Sequence, residues 1–197
     1  MPPPAGLLLT GGASARLGVA KSELRRAGER LADRGARLLA AVCTPTLEVG
    51  RGVTTLPAVC EDPPGSGPLA AVVTGADALA ARGVAGPVLV LAVDLPFVDP
   101  ALLRWLADHP APGTVVPVVA GVPQSLCARY AWSDLAVAAG LRRAGAAAMR
   151  ALLDRIDATY IDEAGWGGTV DEAAFTDVDT PDAAAAAGLE WPPAGPG

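Results

Sequence analysis

One lysine stands among the fifteen strong bases of this chain, and it closes a glycine-rich loop: Gly11-Gly12-Ala13-Ser14-Ala15-Arg16-Leu17-Gly18-Val19-Ala20-Lys21. Every other strong base is arginine. A compact ammonium and a planar guanidinium are not interchangeable where a point charge must reach a phosphate oxygen. Just upstream, Gly6-Leu7-Leu8-Leu9-Thr10 reads as a short buried strand. Strand, glycine loop and cation in that order wrap backbone N–H groups and a positive charge around phosphates. A second feature is Asp94, which ends the unbroken apolar run Pro87–Val93. Mg²⁺ takes carboxylate oxygens, water and substrate phosphates, so one or two aspartates can hold it. Asp94 is the first candidate. Asp179 is the second, although Asp179-Thr180-Pro181 also reads as a helix start with Asp179 as its cap. Arg16 could steady a triphosphate or brace the loop against a carboxylate.

These residues need elements to hold them. Leu7–Thr10 is the first strand, Leu31–Val42 a helix with Leu31, Leu38, Leu39 and Val42 at helical spacing, and Thr46–Val49 a second strand. A helix is predicted over Leu69–Ala81. Pro87–Val93 is apolar at every position, which places it in the middle of a parallel sheet covered on both faces. A helix over Asp99–Asp108 follows, then strands at Thr114–Val119 and Ser125–Tyr130. A helical region with two glycine breaks spans Ser133–Leu153, Ala158–Ile161 is a strand, and Asp182–Ala187 a short helix. The alternation predicts a three-layer α/β/α domain on a mostly parallel, Rossmann-like sheet. Ligands in such sheets bind beyond the carboxyl ends of the strands, so Gly11-Gly12 and Asp94 should share one rim. A single domain over residues 1–187 is expected, with 188–197 a disordered tail rich in Pro and Gly.

Composition narrows the partners. A net charge of −6 supplies no basic field to hold a nucleic acid. No apolar run approaches the ~20 residues of a membrane span, and Met1-Pro2-Pro3-Pro4 lacks signal-peptide character, so a cytoplasmic protein is expected. Cys43, Cys60 and Cys127 have no metal-site spacing and read as reduced, mostly buried thiols. His109, the sole histidine, falls at a predicted helix end as a cap or surface residue, which leaves little room for zinc or histidine catalysis.

The loop is neither of two common phosphate motifs. Ala20, not glycine, precedes Lys21-Ser22, against a Walker loop, and Gly11-Gly12-Ala13-Ser14 does not give Gly-x-Gly-x-x-Gly. It resembles the nucleotidyltransferase signature Gly-Gly-x-Ser-x-Arg-Met/Leu-Gly-x-x-Lys. Further blocks narrow the resemblance to molybdenum cofactor guanylyltransferases, the MobA family. Glu61-Asp62 followed by Gly67-Pro68-Leu69-Ala70-Ala71 is similar to that family's acid and Gly-Pro-Leu-Ala-Gly/Ala block. Val93-Asp94-Leu95-Pro96-Phe97, Gln124-Ser125-Leu126-Cys127-Ala128-Arg129-Tyr130 and Asp177-Val178-Asp179-Thr180-Pro181 resemble three more, in family order. Thr10 stands where the family often has alanine, and Ala20 where an acid is common.

The resemblance implies transfer of GMP from GTP to the phosphate of molybdopterin, with release of pyrophosphate. It implies that Leu9, Thr10 and Gly11 line the guanine and ribose, with Gly12, Ser14 and Gly67 also on the nucleotide. Lys21 would contact phosphates, Asp62 the nucleotide, and Asp94 both Mg²⁺ and phosphate, with Lys21, Arg16 and Asp94 the catalytic set. Gln124 and Arg129 would face the pterin if their strand projects to the rim; otherwise they only pair within the sheet. Transient contact with molybdoenzymes or their chaperones is a further implication. Two alternatives stay open: a cytidylyltransferase for molybdopterin or another phosphorylated acceptor, and a nucleotide- or pterin-binding relative without turnover.

Overall fold

A computed structural model describes residues 3–11, 17–166 and 168–192. Its centre is β1 (Ala5–Leu9), buried at every position. Alternate side chains of a strand point to opposite faces, so Leu7 and Leu9 enter one apolar cluster and Leu8 another. The same split recurs in β6 (Val88–Ala92, as numbered below), where Val88 and Val90 face one way and Leu89 and Leu91 the other.

Between these strands lie a two-stranded hairpin, β2 (Arg25–Arg26) and β3 (Glu29–Arg30), then α1 (Leu31–Ala40), β4 (Thr46–Val49), β5 (Ala58–Val59) and α2 (Pro68–Ala80). After β6 come α3 (Pro100–Asp108), β7 (Val115–Val119), β8 (Val122–Pro123), β9 (Cys127–Tyr130), α4 (Trp132–Arg143), α5 (Met149–Leu153), β10 (Thr159–Ile161) and α6 (Pro181–Ala186). The main sheet runs β10-β7-β9-β6-β1-β4-β5, with β8 paired to β7. Pairings of β1 with β4 and β6, of β4 with β5 and of β7 with β10 are parallel; β9 runs against both β6 and β7. Residues of α1 and α3 cover one face, and those of α2, α4 and α5 the other. This is the expected three-layer α/β/α domain with a mostly parallel sheet. Among the described residues no helix is long and apolar enough to cross a membrane.

The helices lie close to β1 because glycine faces it from both sides. A Cβ on Gly35 of α1 would stand 2.8 Å from Leu8 Cδ1, and one on Gly75 of α2 would stand 2.7 Å from both Leu7 methyls and 2.9 Å from Val49 Cγ2. Overpacking of this kind costs about 1–3 kcal/mol. Gly75→Ala is therefore expected to lower the melting temperature by roughly 2–12 °C, at about 2–4 °C per kcal/mol for a domain of this size. A scanning-calorimetry trace unchanged by the substitution would refute that packing.

Four local features add to the sequence expectation. The polar stretch after Lys21 forms the β2–β3 hairpin, whose turn residues Ala27 and Gly28 have φ of 51° and 77°. Two of its charges are paired: Arg30 with Glu23 and Asp33, and Glu29 with Arg37. Beyond residue 187, Leu189 packs with Leu17 and Leu24, and Glu190 bridges to Arg25 in antiparallel fashion. Cys43 and Cys127 are buried and Cys60 is exposed; burial pushes the thiols of the first two up to about 12. Arg129 is buried and donates to the carbonyls of Leu106, Ala107, His109, Ala111 and Gly113, binding the end of α3 to β9. It is a structural arginine, not a rim residue.

Candidate active site

The rim holds a cavity of about 350 Å³ at the carboxyl ends of β1 and β6. Register explains the convergence. Leu9 pairs with Ala92 in the parallel ladder, and the Val93 N–H continues it by donating to the Leu9 carbonyl at 3.0 Å. Thr10, Gly11, Val93 and Asp94 therefore emerge side by side and line the cavity. The loop before α2 and the helix's first residue supply more of the wall with Glu61, Gly65, Gly67 and Pro68. Gly67 sits at φ 97°, and a Cβ there would fall 2.8 Å from the Ala147 carbonyl, so only glycine lets the start of α2 sit against that backbone. The amino end of α2 thus faces the cavity, and its dipole favours an anion there.

Lys21 begins a short 3₁₀ turn, Lys21–Glu23, that is anchored from below. Leu17 and Leu24 are buried with Leu31, Val93, Val178 and Leu189 in a third apolar cluster. From this base the ammonium reaches Asp94, with Nζ 2.9 Å from Oδ2, and it also donates to Asp179 Oδ1. Burial alone would lower the Lys21 pKa. The two carboxylates outweigh it and hold the group above the ordinary lysine value, so the ammonium is charged at neutral pH. The segment carrying Asp179 is fixed to Asp94 through the backbone, since the Val178 N–H donates to the Asp94 carbonyl at 3.2 Å.

The expected site residues divide clearly. Leu9, Thr10, Gly11, Lys21, Gly67 and Asp94 line the cavity, and Asp179 joins them through Lys21. Gly12, Ser14 and Arg16 lie outside the described residues. Asp62 does not line the cavity: it is exposed, and its carbonyl accepts from Arg142 at 3.3 Å. Its neighbour Glu61 is the acid that turns inward, 7% exposed, with Oε1 accepting from the Gly65 N–H. Gln124 lies away from this cavity, in a second hollow of about 410 Å³ that shares Ala92, Asp94 and Leu126 with the first. Phe175 and Asp177 also line that hollow.

The reading of Asp179 as a helix cap fails. Thr180 is the N-cap of α6, its Oγ1 accepting from the Ala183 N–H at 3.1 Å. Losing that cap typically costs about 1 kcal/mol. Thr180→Ala should then lower the melting temperature by about 2–4 °C, whereas Asp179→Ala should leave it nearly unmoved and lower turnover instead. The opposite pattern in paired melting and rate measurements would restore Asp179 as the cap.

A cation site made by Asp94 and Asp179 fits what the residues present. Both carboxylates already converge on one ammonium, and no group of three or more His, Cys, Asp or Glu side chains suited to a metal occurs among the described residues. Two carboxylates suit an ion that draws its remaining ligands from substrate phosphates and water.

Fold and rim together define an α/β domain whose cavity opens at its strand ends beside a lysine ammonium and the amino end of a helix. The sequence profile of the MobA-like NTP transferase domain matches residues 6–159, and the chain belongs to that family of nucleotidyltransferases. Over 167 residues it is 36% identical to a protein of Chloroflexus aggregans named "Probable molybdenum cofactor guanylyltransferase", covering 79% of this chain and 77% of that one. Its fold is similar to that of molybdopterin-guanine dinucleotide biosynthesis protein A from Archaeoglobus fulgidus, with a TM-score of 0.73 at 23% identity over 93% of this chain and 96% of that one. A Mycobacterium tuberculosis protein crystallised in complex with manganese is similar in fold, with a TM-score of 0.63 at 17% identity over 93% and 97% of the two chains.

Proposed function

We propose that the chain transfers GMP from GTP to the terminal phosphate of molybdopterin, forming the guanine dinucleotide cofactor and pyrophosphate. The observation that carries the reading is the convergence of Lys21, Asp94 and Asp179 at the mouth of a cavity lined by Thr10, Gly11 and Gly67. Such a transfer forms one bond, from an acceptor phosphate oxygen to the α-phosphorus of GTP, and breaks one, between that phosphorus and the bridging oxygen to the β-phosphate. It requires alignment and neutralisation of charge more than covalent catalysis. Thr10 and Gly11 border the base and ribose. Lys21 supplies a fixed ammonium to the phosphates. The amino end of α2, at Gly67, receives further negative charge. The second hollow, across Asp94 from the first, leaves the acceptor room on the other side of the reacting phosphate.

A Mg²⁺ ion would be held by Asp94 and Asp179 and would neutralise charge on the phosphates when bound. The manganese complex of the Mycobacterium tuberculosis neighbour supports a divalent ion in this fold. The guanine preference is favoured by the C. aggregans relative's name.

The test is direct. Purified protein, molybdopterin and Mg²⁺ are mixed with GTP or with CTP, and pyrophosphate release and the dinucleotide product are followed. Turnover with GTP, exceeding that with CTP by at least tenfold, is expected. A preference for CTP would make the chain a cytidylyltransferase. Tight binding of GTP without pyrophosphate release would make it a binding protein.

A further inference from the structure

Glu48 is an acid in the interior of β4, and its side chain has no exposure to solvent. Burying a lone carboxylate is costly unless donors surround it. Here they do. Oε1 accepts from the Thr10 hydroxyl at 2.7 Å and from the Gly52 and Val53 N–H groups, each at 2.9 Å. Oε2 accepts from the Thr54 N–H at 2.8 Å and from the Thr54 hydroxyl at 2.7 Å. A carboxylate offers about four lone-pair positions, so five donors saturate it. Burial would raise the Glu48 pKa, but these donors outweigh burial and keep it below the ordinary glutamate value. The group is therefore an anion, clamped from all sides.

The donors come from two different places. Four belong to the turn after β4, and closing a turn is a structural duty. The fifth is Thr10, just past the end of the neighbouring strand and in the wall of the cavity. The two segments touch closely: a Cβ on Gly50 would come within 2.0 Å of Thr10 Oγ1. The Thr10 N–H also donates to the Val49 carbonyl at 3.0 Å. The carboxylate and the strand ladder thus fix Thr10 from its side chain and from its backbone.

We propose that Glu48 is a positioning residue for the nucleotide, acting through the Thr10 hydroxyl to set the Thr10–Gly11 wall of the cavity. The proposal rests on the reading of that cavity as the nucleotide site. It assigns to Thr10 a hydroxyl that is spent inward on Glu48, so that the backbone and methyl of Thr10, rather than a free O–H, meet the ligand.

Two variants test it. Thr10→Val is isosteric and removes one of the five donors, leaving the turn's four in place. Glu48→Gln replaces part of the anion with an amide whose N–H₂ confronts donors. Loss of a wall that holds ground state and transition state alike raises KM and spares kcat. Each variant should raise the KM for GTP by on the order of tenfold while kcat stays within about threefold. Thr10→Ser, which keeps the hydroxyl, should recover most of the loss. A purely structural role would instead reduce the fraction of active protein, and so kcat, with KM unmoved; that result in Thr10→Val overturns the proposal even if Glu48→Gln does not fold. A second readout needs no nucleotide. Amide hydrogen exchange in Thr10→Val should quicken at the amides of positions 10 and 11, and acceleration absent there overturns the coupling. If the unaltered protein binds none of the four nucleoside triphosphates, the reading of the cavity fails, and the exchange result still decides whether Glu48 fixes this wall.

Discussion

Lys21→Ala should lower the rate of nucleotidyl transfer by on the order of 100-fold or more, a loss of about 2.7 kcal/mol of transition-state stabilisation. The fold should survive, because the 3₁₀ turn is held by buried Leu17 and Leu24 and by the backbone bonds Glu23 N–H to Ala20 and Leu24 N–H to Lys21. None of these uses the ammonium. The geometry adds a second consequence. The ammonium lies between Asp94 and Asp179, so its removal leaves two carboxylates facing each other without their shared counterion. Part of the rate loss would then come from carboxylates that no longer hold their places. Lys21→Arg separates the two contributions: it restores a positive charge to the pair but carries a planar, bulkier head to the phosphates. Poor rescue of rate together with a melting temperature at the unaltered value is the expected result. Near-normal turnover of Lys21→Ala in a pyrophosphate-release assay would remove the loop's central role.

Much of this site was legible in the sequence because strand ends are legible. The apolar runs Leu7–Leu9 and Val88–Val93 mark strands buried on both faces, and parallel strands deliver their carboxyl ends to one rim. That argument alone brings Gly11 and Asp94 together. What escaped it are choices between neighbours that only tertiary contacts make. Glu61 and Asp62 are adjacent acids, and the loop bond from Gly65 to Glu61 decides which one turns inward. Asp179 and Thr180 are both good caps by residue type, and the one whose oxygen meets the Ala183 N–H takes the role while the other reaches Lys21. The hairpin over Arg25–Arg30 was hidden because its turn is Ala27-Gly28, without the Asn-Gly signal that marks such turns most strongly. Glu48 did leave a trace, an acid inside an apolar strand. The donors that make it tolerable lie on residues whose arrival at that point no spacing rule announces.

Asp94→Asn should abolish turnover at saturating Mg²⁺, to below roughly 1% of the unaltered rate, if the carboxylate both holds the ion and anchors Lys21. The amide has nearly the same shape, and the backbone carbonyl that accepts from Val178 is untouched, so the melting temperature should move by no more than a few degrees. Two distinct losses are combined in this substitution, and one titration resolves them. If Asp94 serves chiefly as an ion ligand, the residual rate should rise with Mg²⁺ well beyond the concentration that saturates the unaltered protein. If it serves chiefly to orient Lys21, which it meets at 2.9 Å, the rate should be low while the half-saturating Mg²⁺ concentration stays where it was. In that case Asp179, the other carboxylate on the same ammonium, becomes the principal ligand, and Asp179→Ala should raise that concentration more than Asp94→Asn does. Full activity of Asp94→Asn with an unchanged Mg²⁺ requirement would place the ion elsewhere on the rim and break the assignment of this pair.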